Sequence, residues 1–80
     1  MTIQLDTHHD LGLDLTRREL GILQEVSEGL SNQAIADRLT LSLHTVRTHV
    51  QRILNKLDAH SKLEAVMIAY RQDLIARPDR

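Results

Sequence analysis

Arg47, Thr48 and Gln51 gather a guanidinium, a hydroxyl and a carboxamide on one surface if the segment that carries them is helical. A guanidinium can bond both acceptors of a guanine edge, a carboxamide can bond adenine through two atoms, and threonine offers thymine a hydroxyl and a methyl. His44 and Asn55 fall on the same side. Arg52 and Lys56 lie nearer its flanks and suit phosphates. Ser42 and Thr45, at the start of the segment, can add hydroxyls to free backbone N–H donors, which also suits a phosphate. No Asp or Glu occurs between Ser42 and Leu57. The competing reading is an ordinary solvated helix face.

Other chemistries find little support. The chain has no cysteine, which excludes disulfides, thiolate metal sites and a cysteine nucleophile. His8, His9 and Asp10 cluster, but adjacent histidines cannot share a helix face and no further ligand follows at metal spacing. They read as part of a solvated tail. His44 and His49, five residues apart, make a poor metal pair. No strand-turn-helix nucleophile elbow and no glycine-rich phosphate loop is present. The expectation is a protein with no enzymatic activity, no metal and no cofactor.

Four helices are needed to position these groups, and caps and periodicity predict them. The first spans about Arg17 to Glu28. Thr16 and Glu19 form a capping box at its start, Leu20, Leu23 and Val26 or Ser27 recur at helical spacing, and Gly29 supplies a left-handed stop. Gly21 lies inside it, weakens it, and would permit close approach of another helix. The second spans about Asn32 to Leu39, capped by Ser31, with Ile35, Ala36 and Leu39 as its apolar face. The tight linker Thr40-Leu41 leads to Ser42, which caps a third helix running to Leu57. Its stripe is Val46, Val50, Ile53 and Leu57. Asp58 or its neighbour must end it. A fourth starts at Ser61, with Glu64 completing a second capping box, and continues to about Ile75; Pro78 forbids much extension. Two short helices joined by a tight turn, flanked by one helix before and one after, make an all-α helix-turn-helix domain with a four-helix, bundle-like body. The expected organisation is a tail or linker over residues 1–14, the domain over 15–76, and a C-terminal tail over 77–80.

Composition agrees with this class. At 80 residues there is room for one domain with a small core and no deep cleft. Tyr70 is the only aromatic residue. No apolar run approaches the ~18 residues of a membrane helix, and the N-terminus lacks the cationic start and apolar core of a secretory signal. The cytoplasm is the expected compartment. The net charge of −1 argues mildly against a nucleic-acid partner. Its distribution argues the other way: Met1–Leu15 carries Asp6, Asp10 and Asp14 and no base, whereas Thr16–Lys62 holds seven basic residues against five acidic ones. Phosphate binding needs a local positive surface and not a basic chain.

The segments LTRRE, EGLSNQAIADRL, LSLHTVRTHVQRILNKL and S-x-x-EA, taken together from Leu15 to about Tyr70, resemble the LuxR/GerE-type DNA-binding domain, also found at the C-terminus of NarL/FixJ-type response regulators. The resemblance implies a bacterial transcription regulator. Its third helix would enter the major groove of double-stranded DNA, and its fourth would form a two-fold dimer on a palindromic site. On matching positions it places base contacts at Arg47, Thr48 and Gln51. Backbone contacts fall at Asn32, Gln33, Thr45, His49, Arg52 and Lys56. RNA polymerase is a further candidate partner. Three departures stand out: Ala34 occupies a position where an acid or amide would complete a capping box with Ser31, Asp58 stands where glycine is usual, and Gln51 where a base is common. Nothing in the chain resembles a receiver or ligand-binding domain, so it reads as a fragment or a stand-alone regulator.

On the fourth helix, Leu63, Met67, Tyr70 and Leu74 share one face, while Ala65, Ile68 and Ala69 point elsewhere and are expected to turn inward. By spacing alone, the first face could meet a partner or be absorbed by the domain; the resemblance implies the dimer. A helical protein-interaction domain that keeps the fold without strong DNA affinity is the alternative function.

Overall fold

The computed structural model describes residues 14–78. The His8, His9 and Asp10 cluster, and the tail over residues 1–14 apart from Asp14, lie outside the described residues. Four helices follow in order: α1 (Arg17–Ser27), α2 (Asn32–Leu39), α3 (Leu43–Leu57) and α4 (Lys62–Arg71). No strand occurs among the described residues.

Each helix begins where a side chain can satisfy backbone donors that the first turn leaves free. The Thr16 hydroxyl accepts from Glu19 N, and the Glu19 carboxylate accepts from Thr16 N, so the expected capping box of α1 is complete. Ser31 and Ser42 accept from Ala34 N and Thr45 N. With Ala34 three residues on, Ser31 has no reciprocal partner. Ser61 accepts from Glu64 N, but the second capping box does not close as expected. The Glu64 carboxylate reaches one residue further back and accepts from His60 N at 2.6 Å.

The four helices end alike. A left-handed residue stands at Gly29 (φ 92°), Thr40 (φ 57°), Asp58 (φ 55°) and Asp73 (φ 58°). The N–H that follows each one reaches back to a carbonyl in the last turn: Leu30 to Glu25, Leu41 to Ala36, Ala59 to Leu54 and Leu74 to Ala69. This is the Schellman closure, and glycine adopts it without steric cost. Only Gly29 is a glycine. Thr40 is β-branched, and the left-handed region costs such a residue roughly 1–2 kcal/mol.

The closure at Asp73 shortens α4. The helix was expected to reach about Ile75; it stops at Arg71 because Asp73 turns left-handed and folds the chain back. Ile75 is thereby buried in the core and Leu74 packs against it. Gln24 fastens the returning segment through both of its amide atoms: its Oε1 accepts from Ala76 N at 3.0 Å and its Nε2 donates to Ala76 O at 3.4 Å.

The core draws on every helix. Ile22 and Leu23 come from α1, Ile35 and Ala36 from α2, and Ala65, Val66 and Ala69 from α4. The whole stripe of α3, Val46, Val50, Ile53 and Leu57, is buried as its period requires. α3 packs against each of the other three helices, so its rotation about its own axis is fixed from three sides.

Gly21 departs from expectation. A β-carbon built on it meets nothing within 4 Å, so no helix exploits its missing side chain. Gly21→Ala should therefore stabilise the domain by about 0.5–1 kcal/mol. In a domain of this size that corresponds to a rise of roughly 2–8 °C in the thermal midpoint, readable by circular dichroism. A midpoint that fell would show that the position is constrained after all.

Candidate nucleic-acid interface

Locking the stripe of α3 inward decides what its other side presents. Arg47 and Gln51 are exposed and Thr48 is half-buried, all on the face away from the core. Among the described residues, neither Arg47 nor Arg52 has a hydrogen-bond or ion-pair partner, so both guanidiniums keep their full donor sets. Ser42 and Thr45 sit together at the start of the helix, the Ser42 hydroxyl donating to Thr45 Oγ1 at 2.9 Å. On the same face Gln51 Nε2 donates to Asn55 Oδ1 at 3.2 Å.

The residues expected to flank this face are differently engaged. Asn32, at the first position of α2, accepts from Lys62 Nζ of α4 at 3.3 Å. Gln33 is exposed and donates to Asp37 one turn on, at 3.0 Å. His49 is half-buried, and its Nδ1 is buried with no hydrogen-bond partner among the described residues. A buried bare lone pair is a lesser cost than a buried orphan N–H. When the ring is neutral, its proton therefore belongs on Nε2.

Lys56 has an internal partner. Its ammonium lies 2.9 Å from the Glu19 carboxylate and also donates to Asp14 O at 2.9 Å. Glu19 is 2% exposed, the one charged residue in the core among the described residues. Burial by itself would raise the Glu19 carboxyl. The hydrogen bonds from Lys56 and from Thr16 N, with the charges of Lys56 and His49, outweigh it and hold the carboxyl below its ordinary value of 4.5. One ion pair thus ties the first turn of α1 to the last turn of α3. A composition-based reading misses it, because its partners stand 37 residues apart.

Of the four residues expected to share a partner face on the fourth helix, Leu74 lies beyond the end of α4, and the burial of the four divides them. Leu63 and Met67 are strongly exposed, at 72% and 46%. Tyr70 and Leu74 are half-buried against the domain's own core. Arg77 lies over the Tyr70 ring, 5.9 Å from its centroid, and donates to Tyr70 O at 3.0 Å. Ala65 and Ala69 are buried and Ile68 packs against the core, as their positions opposite that face require.

The profile of the bacterial regulatory proteins of the luxR family matches residues 13–69, most of the chain. The chain belongs to this family. Among the curated relatives of this LuxR-family domain is the nitrate/nitrite response regulator protein homolog of Haemophilus influenzae, 43% identical over 68 residues, which cover 84% of this chain and 33% of the relative. The transcriptional regulatory protein LiaR of Bacillus subtilis is 41% identical over 61 residues, covering 76% of this chain and 29% of the relative. The crystal structure of the response regulator ChrA of a heme-sensing two-component system superposes with a TM-score of 0.74 at 41% identity, over 76% of this chain and 30% of that one. The LuxR-family domain described here thus spans about a third of the length of the relatives it matches. Among the described residues no helix is long and apolar enough to cross a membrane.

Proposed function

We propose that this LuxR-family domain binds double-stranded DNA, with α3 in the major groove, as the DNA-reading part of a bacterial transcription regulator. One observation carries the reading. The buried stripe Val46, Val50, Ile53 and Leu57 turns Arg47, Thr48 and Gln51 outward on a helix with no acidic residue. A major groove admits a helix, and side chains in the helix's N-terminal half usually reach the base edges. In this reading Arg47, Thr48 and Gln51 contact bases. Asn32, Gln33, Ser42, Thr45 and Arg52 contact the backbone, and His49 donates from Nε2 to a phosphate. Lys56 reaches a phosphate only where it shares its ammonium with Glu19. The domain acts in the cytoplasm, as a two-fold dimer on a palindromic site, with Leu63 and Met67 at the centre of the contact and Tyr70 and Leu74 at its margin.

A protein-interaction domain is the second reading. The net charge of −1 and the exposed Leu63 and Met67 favour it.

Salt separates the two. A DNA reader loses affinity linearly in log salt, with a slope near one per neutralised phosphate. With Arg47 and Arg52 as the cations of α3 that have no partner among the described residues, a dimer should give a slope of about −2 to −4. In the same titration Arg47→Ala should relax the preference at one base position, whereas Arg52→Ala should weaken all duplexes alike and flatten the slope. Equal effects of both changes on a selected and a random duplex would refute this division of roles. Binding that salt leaves untouched would favour the protein-interaction reading.

A further inference from the structure

The geometry points to Asn55 as a residue that sets base preference without touching a base: it orients the Gln51 carboxamide so that Gln51 selects adenine. The inference rests on the reading of α3 as the base-contacting helix.

Gln51 and Asn55 are one turn apart and both exposed. Gln51 Nε2 donates to Asn55 Oδ1 at 3.2 Å. A glutamine amide has two N–H donors and one carbonyl oxygen. With one donor committed to Asn55, Gln51 keeps one N–H and its Oε1, which share the plane of the amide. That pair complements the adenine edge, where N7 accepts and the N6 amino group donates. Guanine presents two acceptors, N7 and O6, and a single remaining donor cannot serve both. In the reverse arrangement Asn55 would donate to Gln51 Oε1, and Gln51 would present two donors to guanine. The direction of the Gln51–Asn55 bond therefore decides which purine is read. An exposed glutamine without this partner samples several rotamers and both amide orientations, and its preference would be blurred.

Asn55 is a positioning residue here, so its test must read base preference and not affinity alone. The bases enriched from a random duplex pool are compared for the wild type and three variants. Gln51→Ala identifies the position that Gln51 reads, as the one whose preference disappears. Asn55→Ala should reduce the adenine-over-guanine ratio at that position by about twofold and leave the positions read by Arg47 and Thr48 unchanged. Asn55→Asp retains only acceptors at position 55. It should preserve the adenine preference while lowering affinity for every sequence, through its negative charge. The thermal midpoint should not move for Asn55→Ala, since the side chain is exposed. An unchanged ratio in Asn55→Ala overturns the role of Asn55 while leaving the reading of α3 intact. Guanine at the Gln51 position in the wild type also overturns it. A wild-type pool with no enriched base at all overturns both.

Discussion

Glu19→Ala is expected to destabilise the domain by about 2–4 kcal/mol, a large part of the roughly 4–12 kcal/mol that a chain of this size commands. Three losses combine. The reciprocal half of the α1 capping box disappears, at about 1 kcal/mol. The Lys56 ammonium loses its partner inside the fold. The volume of a side chain only 2% exposed is vacated beside the core. Lys56→Met should cost less than full burial of the pair would suggest, about 1–2 kcal/mol. The lysine side chain is 31% exposed, so water reaches the pair and screens it. The double variant should be less destabilised than the sum of the two, because neither charge is then left alone.

The pair also fixes the response to acid. A carboxyl held below its ordinary value in the folded state contributes stability that is complete above the unfolded value, near 4.5, and is lost as pH falls through the lower folded value. Stability of the wild type should therefore fall as pH drops below 4.5, and Glu19→Gln should flatten that part of the profile. Urea titrations between pH 3 and pH 7 measure both effects. A profile identical in the two proteins would show that Glu19 titrates as a free carboxyl.

Leu63→Glu is expected to have the larger effect on DNA. Leu63 is 72% exposed in the monomer, so a glutamate there should leave the thermal midpoint nearly unchanged. In a two-fold contact each substitution enters twice, once from each protomer. Truncating a central apolar contact typically costs about 2 kcal/mol, so the dimer stands to lose roughly 4 kcal/mol. Affinity for a palindromic duplex should fall by about 100- to 1,000-fold, while affinity for a single half-site stays put. Sedimentation of the wild type on the palindrome should show two protomers, and the variant one. Equal affinity of both proteins for the palindrome would place the contact elsewhere. Tyr70 and Leu74 are weaker probes, because both already pack on the domain's own core.

Much of this fold is legible in the sequence because its determinants are local. Thr16, Ser31, Ser42 and Ser61 all cap the helices they announce, and the stripe of α3 is buried along its whole length. What escapes depends on contacts between distant segments or on the backbone state of one residue. The early end of α4 rests on Asp73 adopting a left-handed conformation, which nothing in the residues before it demands. The burial of Ile75 and the Gln24 clasp on Ala76 follow from that turn. Gly21 suggests a close helix approach, yet only the packing shows that none occurs. On the candidate interface the spacing places Arg47, Thr48 and Gln51 together. It also places Asn55 one turn from Gln51, but not the direction of the bond between them. Lys56 looks like a free cation until Glu19 is found beneath it.

The left-handed closures at Thr40 and Asp58 bracket α3. Each fastens the chain beside the helix to a carbonyl of a neighbouring turn, and three helices press on the side between. Such a helix has little freedom left to surrender when it meets a duplex. The ordering that many recognition segments undergo on encounter falls, in this domain, within folding itself. In the proposed complex, docking would then be close to a rigid-body event: the heat capacity change should match the area covered, and discrimination between sequences should come from misfit more than from induced rearrangement.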